Sequence, residues 1–487
     1  MKKMKLLAAA FLLGAALGLT SAPFAAAADE AVNLTWWLYS PGGEPEDWPE
    51  VQDALNKYSK EKIGVTCEYK FYDAGQVALA MSSGEPFDLC FTCDWFNDFA
   101  TNASDGMFLD LTLLLDEYVP DLVKSMPENV WGGSYYDGRI YAIPHLKDYA
   151  LEVFWILDSD YFLKEKGFTE EHEISWDGIE PYLEAYKKDN PNDYPLIMSM
   201  TGATSWSNCL VDWISRDVWI GLDWDAQGTD NELKVRSALE IPKYTDRLKT
   251  LHRWYEAGYI NPDAAVTETF NRLTGGPVQS GQGWFGAESI WSSQRQRLSY
   301  IARYDGPYLN TSSLRGAMTA ISSTSDNWKE ALALVQLMNT DPYYRETARY
   351  GIEGKHFTRN DDGTVTRTTE GVERMAPEAY SEGFYNVGAL ESSSFEAIPT
   401  DPDMWEKVFD SYKDAVESAA IGFSFDYSPV DYQFMAVSNI AEQYKYELYT
   451  GTSDPEKVIP EILEQMYDAG LQDIIDEAQR QLDEYMS

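Results

Sequence analysis

The chain has 487 residues and is strongly acidic, because 80 Asp and Glu residues outnumber 38 Lys and Arg residues and give a formal charge of −42. This charge argues against nucleic acid as a partner, since contacts to the phosphate backbone dominate that affinity. It also disfavours an anionic membrane surface, and the length suffices for two or three domains.

The first 28 residues have the pattern of a secretory signal peptide. A basic start precedes an apolar run over 6–19 and then small residues, which predicts cleavage after Ala27 or Ala28. The apolar run is too short for a comfortable transmembrane helix. The first cysteine is Cys67, so no cysteine stands at the cleavage point to accept a lipid. We expect an exported protein, periplasmic or extracellular, whose formal charge becomes −45 when three lysines leave with the signal peptide.

Strands alternate with helices in the part of the chain that follows. Apolar runs typical of strands cover 32–39, 65–72 and 87–92, and a stretch with helical periodicity lies over 51–58. The alternation predicts a parallel sheet covered by helices, with strand order 2-1-3. Ligands of such sheets bind beyond the carboxyl ends of the strands. Four residues are therefore expected at a binding edge: Tyr39, Asp73, Asp94 and Trp95.

Aromatic side chains in polar or glycine-rich loops are a second indication of a ligand site. Most of the 16 Trp, 32 Tyr and 20 Phe residues must pack in a core. Trp95, Trp206 and Trp291 lie where core packing explains them poorly, and Glu288 is close to Trp291 in sequence. An indole ring can cover the apolar face of a sugar while carboxylates accept hydrogen bonds from its hydroxyl groups. These residues predict saccharide contacts, with ordinary packing between helices as the alternative for each ring.

Motifs for catalysis and for bound metals are weak. There is no G-x-S-x-G elbow, no H-E-x-x-H pair and no phosphate-binding loop. Cys90 and Cys93 form a C-x-x-C motif without a second pair, which favours packed thiols. Asp223 begins a segment similar to a calcium loop, but its twelfth position is Lys234 where the loop needs Glu. We expect no metal, no cofactor and no catalytic residue.

Several segments together resemble solute-binding proteins of ABC importers, in the branch similar to maltose-binding protein. Residues 84–92, 106–112 and 137–144 are similar to its N-terminal lobe. Residues 351–357, 422–426, 469–470 and 479–483 are similar to a sub-branch with a helical C-terminal extension, and Phe425 and Asp426 join the expected ligand-binding residues on this ground. Relatives in Gram-positive bacteria are usually lipoproteins, and the missing lipid-acceptor cysteine departs from that pattern.

The resemblance implies a two-lobed α/β periplasmic-binding-protein-like fold, each lobe a mostly parallel sheet flanked by helices, with a helical C-terminal region. His145 lies where the chain first crosses between lobes and is expected to contact ligand or act in the hinge. An Asp-Gly pair predicts a hairpin over 358–366. The expected divisions are a signal peptide over 1–28, a first lobe over 29–143 with about 310–348, a second lobe over 144–309 with about 349–430, and C-terminal helices over 431–487.

The expected function is that of an extracytoplasmic substrate-binding component of an ABC importer. It would bind an oligosaccharide or glycoside by closure of the two lobes around the ligand. Its partners would be the carbohydrate and the membrane permease subunits, and the protein would be a monomer without catalytic activity. Two alternatives stay open: a receptor for a cationic or peptide-like solute, which the acidic surface suits, and a secreted glycan-active hydrolase, which turnover of a glycoside would reveal.

Overall fold

The structure is a computed structural model that describes residues 31–375 and 403–487. The predicted signal peptide lies outside these ranges. Within them, no helix combines the length and the apolar character needed to cross a lipid bilayer.

The strands of the described residues form two larger sheets and three smaller ones. In chain order they are β1 (Val32–Tyr39), β2 (Val65–Tyr72), β3 (Leu89–Thr92), β4 (Tyr135–Tyr136), β5 (Arg139–Ile140), β6 (Ala142–Pro144), β7 (Leu151–Asp158), β8 (Asp212–Ser215), β9 (Ile220–Leu222), β10 (Arg236–Ser237), β11 (Val278–Gln282), β12 (Ser299–Leu309), β13 (Met318–Ile321), β14 (Phe357–Arg359), β15 (Val365–Arg367) and β16 (Val416–Glu417).

The helices lie around these sheets and form a group at the C-terminus. In chain order they are α1 (Trp48–Ile63), α2 (Ala74–Ser83), α3 (Phe99–Ser104), α4 (Leu115–Tyr118), α5 (Pro120–Lys124), α6 (Glu180–Asp189), α7 (Pro242–Glu256), α8 (Glu288–Arg295), α9 (Thr311–Leu314), α10 (Trp328–Thr340), α11 (Pro342–Tyr350), α12 (Thr369–Arg374), α13 (Met404–Ser411), α14 (Asp431–Thr450), α15 (Pro455–Asp468) and α16 (Leu471–Tyr485).

The first lobe is built on a five-stranded sheet of order β2-β1-β3-β13-β6. β1 pairs in parallel with β2 and β3, as the predicted order 2-1-3 requires, and β13 is antiparallel to β3 and β6. Val51 and Leu55 of α1 are fully buried, which confirms the helical periodicity found over 51–58. Gly84 ends α2 in the left-handed region at φ 70°, a conformation that glycine adopts without strain.

The second lobe is built on a four-stranded sheet of order β11-β7-β12-β16. β7 is antiparallel to both β11 and β12, so this sheet is mostly antiparallel, whereas the sequence predicted a mostly parallel sheet in each lobe. Strand direction depends on the path of the connecting segments, and long segments separate β7 from its partner strands in the sequence. The two-lobed α/β class is itself confirmed by the likeness to solved two-lobed proteins reported below.

Three segments cross between the lobes. The first crossing (145–150) joins β6 to β7, and the second crossing (310–317) joins β12 back to β13. The third crossing (412–415) follows α13, whose residue Trp405 packs in the first-lobe core, and leads to β16, which pairs with β12 of the second lobe. Residues of the first two crossings line the space between the lobes.

The described residues of 349–412 contact the first lobe, although the sequence assigned them to the second. Asp47, at the start of α1, accepts hydrogen bonds from His356 (3.0 Å) and Arg374 (2.6 Å) and pairs with Lys355 (2.9 Å). These charged groups around one largely buried carboxylate explain the placement, because an unpaired buried charge is strongly destabilising. The predicted hairpin is present within this segment as β14 and β15.

The C-terminal helices α14, α15 and α16 pack on the second lobe. Val437, Ile462 and Leu482 lie in one hydrophobic core with Trp254 of α7. Gly470, predicted as the end of a helix, lies between α15 and α16 with φ 104°. The helical C-terminal region is therefore continuous with the core of one lobe.

Candidate ligand-binding cleft

A cavity of about 410 Å³ lies between the lobes, and we call it the cleft cavity. Residues of both lobes and of the first two crossings form its walls. The lining residues are Trp95, Lys147, Asp148, Ala150, Leu151, Asn208, Trp213, Arg216, Gln282, Trp284, Asn310, Ser312, Ser313 and Gly316.

Three indole rings line the cleft cavity. Trp95, in the loop after β3, is 50% exposed, and its ring nitrogen donates a hydrogen bond to the Gly316 carbonyl at 3.0 Å. Trp213 comes from β8, and Trp284 follows β11 and stacks on Trp405 with ring centroids 5.3 Å apart. The hydrogen bond of Trp95 and the stacking of Trp284 hold these two rings in place at the cavity wall.

Amide and charged groups lie between the rings. The Asn208 amide donates to the Gln282 side-chain oxygen at 2.6 Å. Lys147 and Asp148 form an ion pair at 2.9 Å and are largely buried. The lining is thus mixed, with flat apolar surfaces beside groups that donate and accept hydrogen bonds.

A smaller cavity of about 190 Å³ adjoins the first and shares Trp213 and Ser312 with it; we call it the side cavity. Arg315, almost fully buried, lies at its wall. Its guanidinium donates to the carbonyls of Gly133 (2.9 Å) and Tyr135 (3.0 Å) and to the hydroxyl of Ser424 (2.8 Å). This side chain joins the second crossing, the first lobe and the segment before the C-terminal helices.

Asp94 faces Arg315 across the side cavity, with Oδ1 3.8 Å from a guanidinium nitrogen. Burial raises the pKa of Asp94 to about 6, and the charge of Arg315 only partly offsets this effect. A carboxyl group in this state accepts or donates hydrogen bonds depending on pH.

Asp212, the first residue of β8, links the second lobe to the crossings. Its carboxylate accepts hydrogen bonds from the Asn310 amide (3.0 Å) and from the Ser418 hydroxyl. Burial raises the pKa of Asp212 to about 6, although both hydrogen bonds favour the charged form. The Asp212 carboxyl group thus bonds to the second crossing at Asn310 and to Ser418, which follows the third crossing.

Three of the sequence-predicted residues line these cavities. Trp95 lines the cleft cavity, and Asp94 and Phe425 line the side cavity. Tyr39 lies behind Trp95, with its ring edge-on at 5.1 Å. His145 is buried at the start of the first crossing, where Nε2 is 2.8 Å from the Thr319 hydroxyl.

The other predicted residues lie elsewhere. The Asp73 carboxylate caps α2 by accepting from the Gln76 backbone at 2.8 Å. Asp426 is exposed and accepts hydrogen bonds from Ser428 in a turn.

The expectation that Trp291 lines the cleft is wrong. Its ring is buried against Phe154 at 6.0 Å, so packing between helix and sheet accounts for it. Glu288 begins the same helix, where burial raises its pKa, and it lines neither cavity. Trp206 is buried against Tyr244 and borders a separate hollow of the second lobe.

Sequence reasoning missed Trp213, Trp284 and Arg315. Trp284 follows Gly283 in a glycine-rich loop, which is the signal used for Trp291 seven residues further on. Trp213 is in a short strand, and its exposure depends on the lobe arrangement. Arg315 gave no local signal because its partners are distant in sequence.

The thiols and acidic residues that the structure describes show no metal-binding arrangement. Cys67, Cys90, Cys93 and Cys209 are all buried and free, and burial raises the pKa of Cys90 and Cys93. Within residues 31–375 and 403–487, no three His, Cys, Asp or Glu side chains are grouped to hold an ion. Asp223 caps a short 3₁₀ turn by accepting from the Asp225 backbone at 3.1 Å.

The described residues form two lobes joined by three crossings, with an aromatic and polar cavity between them, and solved solute-binding proteins share this fold. The chain is 26% identical to the carbohydrate ABC transporter substrate-binding protein of Streptococcus pneumoniae serotype 4, over 94% of this chain and 92% of that protein.

Solved structures show the same fold. The N-glycan transport solute-binding protein NgtS of Streptococcus pneumoniae matches with a TM-score of 0.82 and 23% identity, over 93% of this chain and 99% of NgtS. The alginate-binding protein AlgQ2 matches with a TM-score of 0.60 and 18% identity, over 94% and 99% of the two chains. Residues 419–487 match a family model described as a domain of unknown function, DUF3502.

Proposed function

We propose that this protein binds an oligosaccharide between its lobes and delivers it to the permease subunits of an ABC importer, as a monomer and without catalysing a reaction. The observation that carries the proposal is the cleft cavity itself, in which Trp95, Trp213 and Trp284 surround amide and charged groups. Relatives named for carbohydrate and N-glycan transport support the same class of ligand.

The chemistry of the lining suits a sugar. Each indole ring offers a flat surface for the C–H face of a pyranose or furanose ring. The Asn208–Gln282 amides and the Lys147–Asp148 pair provide donors and acceptors for hydroxyl groups. Because Trp95 belongs to the first lobe while Asn208 and Gln282 belong to the second, a ligand in contact with all three favours the closed arrangement over the open one.

The charge pattern of the cleft gives less support to the alternatives. A receptor for cationic solutes needs carboxylates without cationic neighbours, whereas Asp148 pairs with Lys147 and Asp94 faces Arg315. A retaining or inverting hydrolase needs two carboxyl groups flanking the scissile bond, and in the cleft cavity Asp148 is already held in an ion pair.

The proposed ligand-contact residues come partly from the sequence prediction and partly from the cavity walls. Trp95, Asp94 and Phe425 come from the sequence prediction, with Tyr39 and His145 as supports behind them. Trp213 and Trp284 join them from their place in the cavity walls. Trp206 is considered separately below.

Processing is part of the proposal. We propose export with cleavage near Ala27 or Ala28 and no lipid at the mature N-terminus, because the small residues of that segment fit a signal-peptidase site and Cys67 is the first cysteine. Mass spectrometry of the exported protein tests this. A lipid adduct or an intact N-terminus would contradict it.

Ligand binding is tested with glycans of two sizes from two series: Man1GlcNAc with Man5GlcNAc, and kestose with fructo-nystose. These are ligands named for structural neighbours. A bound glycan at a hundred times its Kd should add about 2.7 kcal/mol to the free energy of unfolding, which a melting curve detects and calorimetry then quantifies. Spermidine and a mixed tripeptide serve as controls for the cationic and peptide alternatives. Stabilisation by these controls alone would overturn the proposal, and release of monosaccharide from any glycan would show an enzyme.

A further inference from the structure

A second hollow lies in the second lobe next to the cleft cavity. Its volume is about 460 Å³, and we call it the lobe-two groove. Asn208 lines both spaces and donates a hydrogen bond to Gln282, which lines the cleft cavity. The groove is lined by Ser199, Thr201, Thr204, Ser205, Trp206, Ser207, Asn208, Glu268, Phe270 and Arg272.

The groove is lined by hydroxyl groups and one carboxylate that have no partner within the described residues. Across the part of the chain that the structure describes, the side-chain hydroxyls of Thr204, Ser205 and Ser207 and the exposed carboxylate of Glu268 make no hydrogen bond or ion pair. Polar groups arranged around a hollow and left to solvent are available to a polar ligand. The lining has both donors and acceptors, which favours a neutral polyhydroxyl compound over an ion.

An aromatic surface accompanies these groups. The half-buried ring of Phe270 lies in the groove, with the Arg272 guanidinium 5.8 Å from its centroid. Trp206, which is largely buried, also belongs to the lining, and its ring stacks on Tyr244. A flat ring beside hydroxyls and a carboxylate is the combination that suits a sugar.

The backbone of the groove is strained at one position. Ser205 adopts φ 62°, in the left-handed region that favours glycine. Such conformations in residues other than glycine persist where the surrounding structure holds them, and they occur frequently at ligand sites. The Thr204 carbonyl is held by the Ser280 hydroxyl at 2.7 Å, which fixes this loop to the central sheet of the lobe.

We infer that the lobe-two groove is a second saccharide subsite, which receives the outer units of a branched or extended oligosaccharide whose inner units occupy the cleft cavity. The inference rests on the proposed function. The volume of the cleft cavity, about 410 Å³, lies toward the lower end of the usual range for small-molecule sites. The outer units of a longer glycan therefore need a second space outside this cavity. The shared wall at Asn208 places that room directly beside it.

Two variants test the subsite against the glycan series above. Phe270→Ala removes the aromatic ring, and Glu268→Gln removes the carboxylate charge at nearly constant shape. Leu273→Ala is the matched control for loss of an apolar side chain, because Leu273 is 42% exposed and lies outside the groove lining. We expect Phe270→Ala to weaken binding of the longer glycan of the bound series about tenfold, on the scale of a lost aromatic contact. Glu268→Gln should weaken it severalfold. Affinity for the shorter glycan should stay within twofold, and Leu273→Ala should change neither.

The outcomes separate the two claims. If the wild-type protein binds none of the four glycans, the proposed function fails and the subsite with it. If it binds both sizes but the groove variants weaken both equally, or weaken neither, only the subsite is overturned. Melting curves of the unliganded variants identify any loss of folded protein, and Glu268→Gln, at an exposed side chain, keeps the test valid if Phe270→Ala unfolds.

Discussion

Replacement of Asp212 by Asn should stabilise the protein at neutral pH. The Asp212 side chain is 6% exposed, and burial raises the pKa of this carboxyl group from 3.8 to about 6. Because the pKa is raised, the folded protein binds a proton more tightly than the unfolded chain. The charged carboxylate therefore reduces the free energy of unfolding above pH 6, and this penalty disappears as the pH falls toward 3.8.

The pKa difference sets the size of the effect. Moving the pKa from 3.8 to about 6 corresponds to about 3 kcal/mol. Asp212 lines the side cavity, so its charge is not wholly enclosed by protein, and we expect a gain of about 1–3 kcal/mol for Asp212→Asn at pH 7.5. The Asn side chain keeps one oxygen to accept from Asn310, and its amide group can donate to the Ser418 hydroxyl.

Urea unfolding at pH 7.5 and pH 4.5 tests this reasoning. The difference between variant and wild type at pH 4.5 should fall to about a third of its value at pH 7.5. The subtraction removes the titration of all other acidic groups. Asp53→Asn, on the exposed side of α1, controls for loss of one negative charge from an acidic protein. If Asp212→Asn is less stable than wild type by a similar amount at both pH values, the charged form is the favoured one and the reasoning is wrong.

Three further substitutions have expected outcomes. Trp95→Ala should weaken glycan binding by about 1–3 kcal/mol in calorimetry with little change in melting temperature, because the ring is 50% exposed; unfolding without a specific loss of affinity would mark a core residue. Replacing Cys90 and Cys93 with Ala should lower the free energy of unfolding by at most a few kcal/mol through lost packing, with affinity unchanged, and stoichiometric zinc in the wild-type protein would contradict this. Arg315→Gln should raise the pKa of Asp94 above 6, because the guanidinium charge that lowers it is gone; NMR titration of the carboxyl carbon would show an unchanged or lower pKa if the pair does not interact.

The first-lobe sheet could be predicted from local patterns. β1, β2 and β3 are apolar runs separated by helical segments, and their order and parallel pairing agree with the sequence prediction. The second-lobe sheet could not, because β7 pairs with strands more than a hundred residues away. Its direction depends on long connections that leave no periodic signal.

The positions of the candidate site residues also differ in whether local sequence patterns predict them. The position of Trp95 at the cleft could be predicted because it follows a recognisable strand at the carboxyl edge of a parallel sheet. Trp291 was not, because a tryptophan near a glycine-rich loop can face either the cleft or the core, and here Trp284 lines the cleft while Trp291 is buried. The segment around His356 was assigned to the wrong lobe because its anchor, Asp47, lies about three hundred residues earlier.

The last helix holds part of the wall of the side cavity. Near its end, the Tyr485 hydroxyl donates to the Ile421 carbonyl at 2.8 Å, and Gln481 exchanges two hydrogen bonds with the backbone of Asp426. Gly422, at φ 90°, leaves room for that hydroxyl, since a Cβ there would stand 2.4 Å from it.

These contacts fix the stretch of chain that carries Ser424 and Phe425, both in the side cavity. Deletion of the final turn of α16, or a rigid tag fused directly to it, would therefore displace Ser424 and Phe425 in the wall of the side cavity. A library of C-terminal truncations should lose ligand affinity before it loses the second-lobe core, and expression vectors for this protein are better designed with the tag at the opposite end of the mature chain.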